Sequence, residues 1–412
     1  MTLNSEQKKA FDIVKNDHSL LLQGAGGTGK SFTIKEIVKW AKENGIQYGI
    51  TAMTGSAAIL IGGTTLHSFL GIGLGNKTPE ELAEHVKNKR KFIYNRLRRL
   101  ELLVIDEISM MDANLFEIIS IFLGIIRDKI GIPFGGVPIV ISGDMFQLPP
   151  VKGKFFFKSL LWDTYDIKMI ELQESQRHKD DIEFMNILNE LRMGRPTKEI
   201  IKRLKATKNN TFPDGIIPTM LYSKNVDVDE LNQKKYNELV DKGARCFEYK
   251  ATFSSEASKF WAQSCKIPDL CKICVGAQVV LTWNIDLEMG LCNGARGIVK
   301  EVGISGAIVK FKSCEVLISH NRVEDQDNKN MWMSFMPLRL AYALTINKSQ
   351  GMTLDCAIVI LDKNTNNNEF LYGRAYTALS RVRNLKSIQI INVTEAVFVA
   401  HPDVIEFYQQ NT

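Results

Sequence analysis

No part of this 412-residue chain stays apolar for long. The most apolar run, Phe116–Ile126, is interrupted by Glu117 and Ser120 and falls short of the roughly 20 residues a bilayer crossing needs. Its spacing (Leu115, Ile118, Ile119, Phe122, Ile125, Ile126) predicts a helix laid on a core. The opening residues, Met1-Thr2-Leu3-Asn4-Ser5-Glu6, lack the basic and apolar regions of a secretory leader. Cysteine is scarce: seven, an odd number, scattered, which argues against a disulfide framework and for a reduced, intracellular setting, cytoplasmic or nucleoid. Cys271 and Cys274, with Cys265 nearby, make half a zinc site. A structural zinc takes four ligands, usually as two such pairs, and with no second pair these thiols read as buried. Neither an internal repeat nor a long low-complexity segment occurs; Asn364–Asn368 is a short polar loop. Charge of one sign is also lacking: 52 basic against 46 acidic residues leave +6, which permits a polyanion partner without proving one. The remainder, 45% hydrophobic and 24% charged, is ordinary globular composition at a length that suits two or three domains.

What is present begins with Leu20-Leu21-Leu22-Gln23-Gly24-Ala25-Gly26-Gly27-Thr28-Gly29-Lys30-Ser31. A short buried strand, a glycine-rich turn and a helix start follow one another. Gly24, Gly29, Lys30 and Ser31 fit G-x-x-x-x-G-K-[ST], the phosphate-binding loop. Its glycines, Gly26 and Gly27 included, and Thr28 let backbone N–H groups surround phosphate oxygens, and the helix adds its positive end. Lys30 would reach the β- and γ-phosphates of ATP, and the Ser31 hydroxyl would hold Mg²⁺. A second apolar strand, Leu102–Ile105, delivers Asp106 and Glu107 at its carboxyl end, where ligands bind in open α/β sheets. Asp106 suits the Mg²⁺ shell, and Glu107 suits deprotonation of an attacking water. A third strand, Pro138–Gly143, leads to Asp144-x-x-Gln147, placing Gln147 to contact the γ-phosphate and report its loss.

Other positions admit two readings. Gln7, on a helix before the loop, could read an adenine edge or lie exposed. Thr54 and Ser56, after the strand Gln47–Thr54, suit backbone phosphate contacts. His67 and Phe69 could stack on bases or pack in a core. Lys87, Lys89, Arg90, Lys91, Arg96, Arg98 and Arg99 occur with no acid between them, as a solvated face or a polyanion contact. Arg177 and Arg381 could be arginine fingers or surface residues. Residues 178–215 read as largely helical, with a turn at Pro213-Asp214-Gly215. From about 246 to 333, short β-prone runs between Gly, Asn and Asp predict a small barrel or bent sheet, and Trp283 could stack on a base or fill its core. The run Leu338–Leu344 leads to Thr345, Lys348 and Ser349, suited to DNA phosphates, and to Gln350 and Gly351, suited to the nucleotide.

Taken in order, these segments resemble a known family. Gly-Gly-Thr-Gly-Lys-Ser, Ile-Asp-Glu-Ile-Ser (105–109), Pro-Phe-Gly-Gly-Val (133–137), Gly-Asp-Met-Phe-Gln-Leu-Pro-Pro-Val (143–151), Glu-Ser-Gln-Arg (174–177), Asn-Lys-Ser-Gln-Gly-Met-Thr-Leu-Asp (347–355) and Tyr-Thr-Ala-Leu-Ser-Arg (376–381) are similar to the PIF DNA helicases, in the RecD/Dda-like branch of superfamily one. The stretch Asp112–Val137 resembles that family's signature segment. The resemblance implies an α/β fold of two RecA-like P-loop cores with ATP between them. The first would comprise residues 1–62 and 100–160, with 63–99 as an inserted wedge. The second would comprise 161–245 and 334–412, with 246–333 as an SH3-like β-barrel. It implies 5'-to-3' movement on single-stranded DNA, unwinding of duplex with a 5' single-stranded tail, action as a monomer, and work in replication, repair or recombination. It implies Gln7 on adenine, Arg177 and Arg381 as fingers, and Thr54, Ser56, His67, Phe69, Thr345 and Lys348 on DNA. Little precedes Leu3 or follows Ser387–Val393, so the extra regions of longer relatives are expected to be missing. Two rivals remain: a nucleotide-gated clamp on single-stranded DNA that does not unwind, and a P-loop ATPase that remodels a protein.

Overall fold

In the computed structural model the described residues are 3–73, 75, 77–151, 153–174, 177–178, 180–212, 218–264, 267–283, 285–286, 289, 291, 295–311, 314–324, 330–361 and 371–411, without the side chains of residues 56, 59, 60, 260, 261, 263 and 264. The turn expected at Pro213-Asp214-Gly215 and the loop Asn364–Asn368 lie outside them. The chain divides into two units, Met1–Ile216 with Ser349–Thr412, and Ile217–Lys348.

The first unit is built on a parallel sheet. Helix α1 (Ser5–Lys15) starts at a capping box in which the Asn4 side chain accepts from the Gln7 N–H and the Gln7 side chain accepts from the Asn4 N–H. Then come β1 (Ser19–Gly24), α2 (Lys30–Glu43), β2 (Tyr48–Ala52), α3 (Gly55–Leu60), β3 (Thr64–Thr65), α4 (Leu66–Leu70), α5 (Pro79–Lys89), α6 (Lys91–Arg98), β4 (Leu102–Asp106), α7 (Ala113–Ile126), β5 (Ile139–Gly143), β6 (Ile167–Leu172) and α8 (Ile182–Arg192). The strand order is β3-β2-β4-β5-β1-β6, and every pairing is parallel. Helices cover both faces of such a sheet, so β1, β4 and β5 are buried at every residue, which is why they read as unbroken apolar runs. Ala10, Val14, Leu20, Leu22, Ile34, Ile37 and Val140 share one core cluster beneath α1 and α2. The carboxyl ends of β1, β4 and β5 therefore open side by side.

Helix α7 carries the signature-like stretch. Asp112 caps it by accepting from the Leu115 N–H (2.9 Å), and Phe116, Ile119, Phe122 and Leu123 are fully buried. At its end Arg127 donates to the carbonyls of Leu97 (3.2 Å), Arg98 (3.0 Å) and Leu100 (2.6 Å) and, through Nε, to Gly135 (2.9 Å). One guanidinium thus satisfies the orphan carbonyls that close the basic helix α6. Farther along, Ala357–Ile360 and Ile388–Ile391 pair in parallel, and the last helix, Pro402–Asn411, stacks Phe407 on Phe157 at 4.3 Å.

In the second unit Thr219–Tyr222 pairs in parallel with Ala343–Thr345. A five-stranded antiparallel sheet runs in the order Glu315–Ile318, Gly306–Phe311, Arg296–Gly303, Gln278–Leu281, Leu338–Leu340. The run Leu338–Leu344 is divided between two strands. Its first half pairs with Gln278–Leu281, and its second with Thr219–Tyr222. The hinge is fixed by Asn232, whose Oδ1 accepts from the N–H groups of Tyr342 (3.0 Å) and Ala343 (3.1 Å). Trp283 meets Phe335 edge-on at 5.7 Å. Among the described residues no helix is long and apolar enough to cross a membrane.

Candidate active site

The glycine-rich turn joins β1 to α2 and admits no side chain at two points. Gly27 (φ 90°) and Gly29 (φ 94°) take the left-handed conformation glycine favours. A Cβ on Gly27 would lie 2.3 Å from the Arg177 Cβ, and one on Gly29 would lie 2.6 Å from Gln7 Nε2. The loop is therefore a floor on which Arg177 and Gln7 rest. Lys30 Nζ donates to the carbonyls of Gly24 (2.7 Å) and Ala25 (3.0 Å), and burial pulls its pKa below the usual lysine value, against the pull of Asp144, Glu107 and Asp106. Thr28 is buried, with its hydroxyl donating to Ala25 O at 3.0 Å.

Asp106 ends β4 and is buried. Burial first, then the Glu107 carboxylate, push its pKa up to about 6, while the Glu107 N–H donates to it at 2.9 Å. Glu107 has φ 57°, a left-handed backbone that costs a residue with a Cβ on the order of 1–2 kcal/mol. The turn brings its carboxylate to Gln350, whose Nε2 donates to Oε2 at 2.9 Å, and to within 3.5 Å of where a Gly351 Cβ would stand. Gln147 follows β5. Its Nε2 faces Asp144 Oδ2 at 3.4 Å, and its Oε1 is buried with no partner.

Two guanidiniums close on this floor from far along the chain. A Cβ on Gly26 would stand 3.6 Å from each of Arg177 Nη1, Arg381 Nη2 and Gln147 Nε2. The Arg177 N–H donates to Gly27 O (3.3 Å) and its Nη1 to Ser380 O (2.8 Å). Arg381 is 2% exposed and donates to Thr377 O (2.8 Å) and Ser380 Oγ (2.6 Å). Their described partners are carbonyl and hydroxyl oxygens, so a buried cation, Arg381, and a half-buried one, Arg177, stand side by side. Burial and the neighbouring Arg381 charge pull Arg177 down to about 10, and burial lowers Arg381. Holding two such cations apart from water is costly unless a polyanion neutralises them. The cavity they share, about 360 Å³, is also lined by Lys30, Ser31, Asp106, Glu107, Gln147 and Gly351. Its volume, its glycine floor and its cations fit a nucleoside triphosphate, and Ser31 with Asp106 offers the oxygen donors Mg²⁺ prefers.

The structure thus gathers Gly26, Gly27, Gly29, Lys30, Ser31, Asp106, Glu107, Gln147, Arg177, Arg381 and Gly351 around one cavity, with Gln350 buried behind Glu107. Gln7 lies over Gly29, with Oε1 already accepting from the Asn4 N–H at 3.0 Å, which leaves Nε2 as its free end. The residues expected on DNA are not gathered in the same way. Thr54 is half-buried, and the side chain of Ser56 is outside the described set. His67 is half-buried, its pKa lowered by burial and opposed by Asp112. Phe69 departs from a base-stacking surface: it is 8% exposed, its ring lies against Gly49, and Arg96 caps it at 4.1 Å while donating to its carbonyl. Thr345 and Lys348 belong to the second unit. Thr345 is buried, its hydroxyl accepting from the Lys348 N–H at 3.3 Å, and Lys348 is exposed.

Sequence reasoning missed Asp144, Tyr376, Arg192, Thr353 and Arg383. Asp144 had a signal, since it ends an apolar strand as Asp106 does. Thr353 and Arg383 also line the cavity; Thr353 lies within the motif 347–355 and so had a signal, whereas Arg383 falls just outside the motif 376–381.

His178, next to Arg177, gives a pH prediction. Its ring is 3% exposed, its Nε2–H donates to Val382 O at 3.1 Å, and burial with the Arg177 charge lowers its pKa to about 4. Folded pKa lies below unfolded pKa, so the unfolded chain binds the proton first. The stability that neutral His178 provides is complete above about pH 6.5 and is lost as pH falls toward 4, at up to about 1.4 kcal/mol per pH unit. Urea midpoints of wild type and His178→Gln should converge as pH drops from 7 to 5; a constant gap would exclude this role.

A buried parallel strand ending in a phosphate loop, an acidic pair on a nearby strand and two guanidiniums closing over the loop define a RecA-like P-loop fold. Residues 2–201 match the PIF1-like helicase family model, and residues 263–302 match the DNA helicase Pif1 2B domain. The ATP-dependent DNA helicase PIF1 of Xenopus laevis is 34% identical over 99% of this chain and 64% of its own length. The ATP-dependent DNA helicase Pif1 of Bdellovibrio bacteriovorus is 30% identical over 99% of this chain and 92% of its own. The crystal structure of Pif1 helicase from Candida albicans matches with a TM-score of 0.90 at 31% identity, covering 100% of both chains. That of Pif1 from Bacteroides in complex with ADP-AlF3 and ssDNA matches at 0.80 and 28% identity, covering 100% of this chain and 97% of the other. This chain belongs to the PIF1-like helicase family. It spans 64% of the length of the Xenopus laevis relative, less than two thirds.

Proposed function

We propose that this chain is an ATP-dependent DNA helicase that moves 5'-to-3' on single-stranded DNA. The observation that carries the reading is the meeting of Arg177, Arg381 and Gln147 over Gly26, in a cavity that also holds Lys30 and Glu107. In this reading Lys30 and the loop N–H groups hold the phosphates, Glu107 takes the proton of the attacking water, and Arg177 and Arg381 stabilise charge on the transferring phosphoryl group. Mg²⁺, held by Ser31 and Asp106, would neutralise charge on the β- and γ-oxygens. Gln7 would contribute Nε2 to the adenine edge.

Translocation needs the hydrolysis state to change how DNA is held. Arg177 and Arg381 reach the phosphates from segments far from the loop in sequence, so phosphate release alters the tie between those segments and the loop. Residues 1–62 and 100–160 act as the first RecA-like core together with Ile167–Leu172, which pairs with β1 and so corrects the boundary expected at residue 161; the rest of 161–245 with 334–412 acts as the second, and 63–99 as a wedge. The β-rich residues 246–333 act as an SH3-like insertion, a reading that the five-stranded antiparallel sheet supports. Thr54, Ser56, His67, Thr345 and Lys348 touch the strand, and Phe69 supports that surface from beneath Arg96. Opening a base-pair step costs about 1.4 kcal/mol, so repeated advance requires the hydrolysis cycle. The protein works as a monomer, in replication, repair or recombination.

Unwinding of otherwise identical duplexes with a 5' or a 3' single-stranded tail tests this. The 5'-tailed duplex should open with ATP and Mg²⁺ and the 3'-tailed one should not. Opening of the 3'-tailed duplex alone would reverse the direction, and ATPase activity indifferent to single-stranded DNA would refute the helicase reading.

A further inference from the structure

Cys271 and Cys274 are neighbours in sequence, yet the second unit parts them. The strands Cys246–Lys250 and Leu270–Cys274 pair antiparallel, in a register that sets Cys274 directly opposite Cys246 and Cys271 opposite Tyr249. Side chains alternate faces along a strand, so residues three apart point to opposite sides. Cys271 Sγ accordingly donates to Leu338 O at 3.2 Å, while Cys246 Sγ donates to Ala244 O at 3.1 Å. The thiols that face each other are those of Cys246 and Cys274.

The ladder makes this a close pair. The Val275 N–H donates to Arg245 O at 2.9 Å, just outside Cys274 and Cys246. That bond marks the pair as a non-hydrogen-bonded position, where Cα atoms lie about 4.5 Å apart and side chains approach most closely. A disulfide spans Cα separations of about 4.4–6.8 Å. The next pair on the same face, Glu248 and Lys272, meets at 2.7 Å, so opposite side chains touch here. Burial first, then the Cys246 thiol, push the Cys274 thiol up to about 11, which places the two groups within reach of each other. Cys274 is fully buried and Cys246 half-buried, so an incoming reagent meets Cys246 first.

We propose that Cys246 and Cys274 are an oxidation site, a dithiol that hydrogen peroxide closes into a disulfide between the two strands. The Cys246 sulfur, as thiolate, attacks one peroxide oxygen. An S–O bond forms, the O–O bond breaks, and the departing hydroxide leaves as water with the proton that Cys246 gave up. The Cys274 sulfur then attacks the Cys246 sulfenic acid. The S–S bond forms, the S–O bond breaks, and the second hydroxide takes the Cys274 proton. Two thiols have lost two electrons and two protons, and one peroxide has become two waters. The high pKa of Cys274 slows the second step, but contact offsets this, since oriented neighbours react as if at about 10⁵ M or more. A reducing setting keeps the pair open. The bond would pin the strand end beside Val275, just ahead of Gln278–Leu281, which pairs with Leu338–Leu340. The proposal stands apart from the helicase reading.

The test uses the full chain, reduced, freed of reductant, treated with hydrogen peroxide under native conditions and then alkylated in denaturant. Non-reducing peptide mapping should show one cross-link, Cys246 to Cys274, and the loss of those two thiols from the alkylated set, both reversed by dithiothreitol. In Cys274→Ser, dimedone should label Cys246, whose sulfenic acid has lost its partner. Cys246→Ser should form no cross-link, and Cys271→Ser should keep it. Peroxide treatment in urea separates geometry from chance, because the unfolded chain should also couple Cys274 to Cys271 and to other cysteines. A native map no different from the urea map would overturn the proposal. So would a native cross-link from Cys274 to any other cysteine, or Cys246 and Cys274 both still open to alkylation after peroxide. The map of the wild-type chain decides these outcomes even where a serine variant does not fold.

Discussion

Replacing Arg381 with alanine should lower DNA-stimulated ATP turnover by about 10³-fold or more, the range over which an arginine finger acts. Binding of single-stranded DNA without nucleotide should stay close to wild type, because Arg381 is 2% exposed and offers DNA no surface. The size of the effect follows from preorganisation. Nε is tied to Thr377 O and Nη2 to Ser380 Oγ, so the fork is already aimed at Gly26 and needs little rearrangement as charge develops on the phosphoryl group. Arg381→Lys should recover little, since a single ammonium cannot keep both ties and still reach the loop. The same geometry predicts a cost in the resting protein. Arg177 and Arg381 repel each other in a buried setting, so Arg381→Met, which fills the space without the charge, should hold or raise Tm in nucleotide-free protein while turnover is lost. Hydrolysis by Arg381→Ala within tenfold of wild type would remove this residue from the reaction.

The parts of the site legible from sequence are those made by neighbours in the chain. The phosphate loop and the Asp106–Glu107 pair each occupy a few consecutive residues after strands whose double-sided burial makes them continuously apolar. Their proximity needs only the parallel strand order. Arg177 and Arg381 were reached only through the ordered motifs, and other contacts made across long loops left no trace. Tyr376 reaches Asp144 across 232 positions, and Arg192 closes on it from the end of an amphipathic helix, where an arginine ordinarily faces water. Phe69 shows the same limit. Its burial is decided by Gly49 on β2, where an added Cβ would stand 2.3 Å from the Phe69 ring, and nothing in His67-Ser68-Phe69 reports that vacancy. The run Leu338–Leu344 holds no Gly, Pro, Asn or Asp to mark a break, so its division between two sheets depends on Asn232, about 110 residues away.

Glu107→Gln separates a motor from a clamp. Gln is nearly isosteric with Glu, and its carbonyl oxygen can still accept from Gln350 Nε2, so the left-handed turn and the nucleotide pocket should persist. What is lost is the group that can take a proton from water, a loss of about 10² to 10⁴ in turnover. ATP affinity should change little, and binding of single-stranded DNA in the presence of ATP should be kept, since the nucleotide then stays unhydrolysed between the loop and the two guanidiniums. Opening of a 5'-tailed duplex should disappear with the turnover, because each advance needs phosphate release. A clamp gives a different pattern: equal DNA binding by both proteins and no strand separation by either. Retention of unwinding by Glu107→Gln would be harder to absorb. The strained backbone at Glu107 would then serve some purpose other than bringing a base to the phosphate, and the proton would have to leave by way of Asp106, whose raised pKa makes it the next acceptor in the cavity.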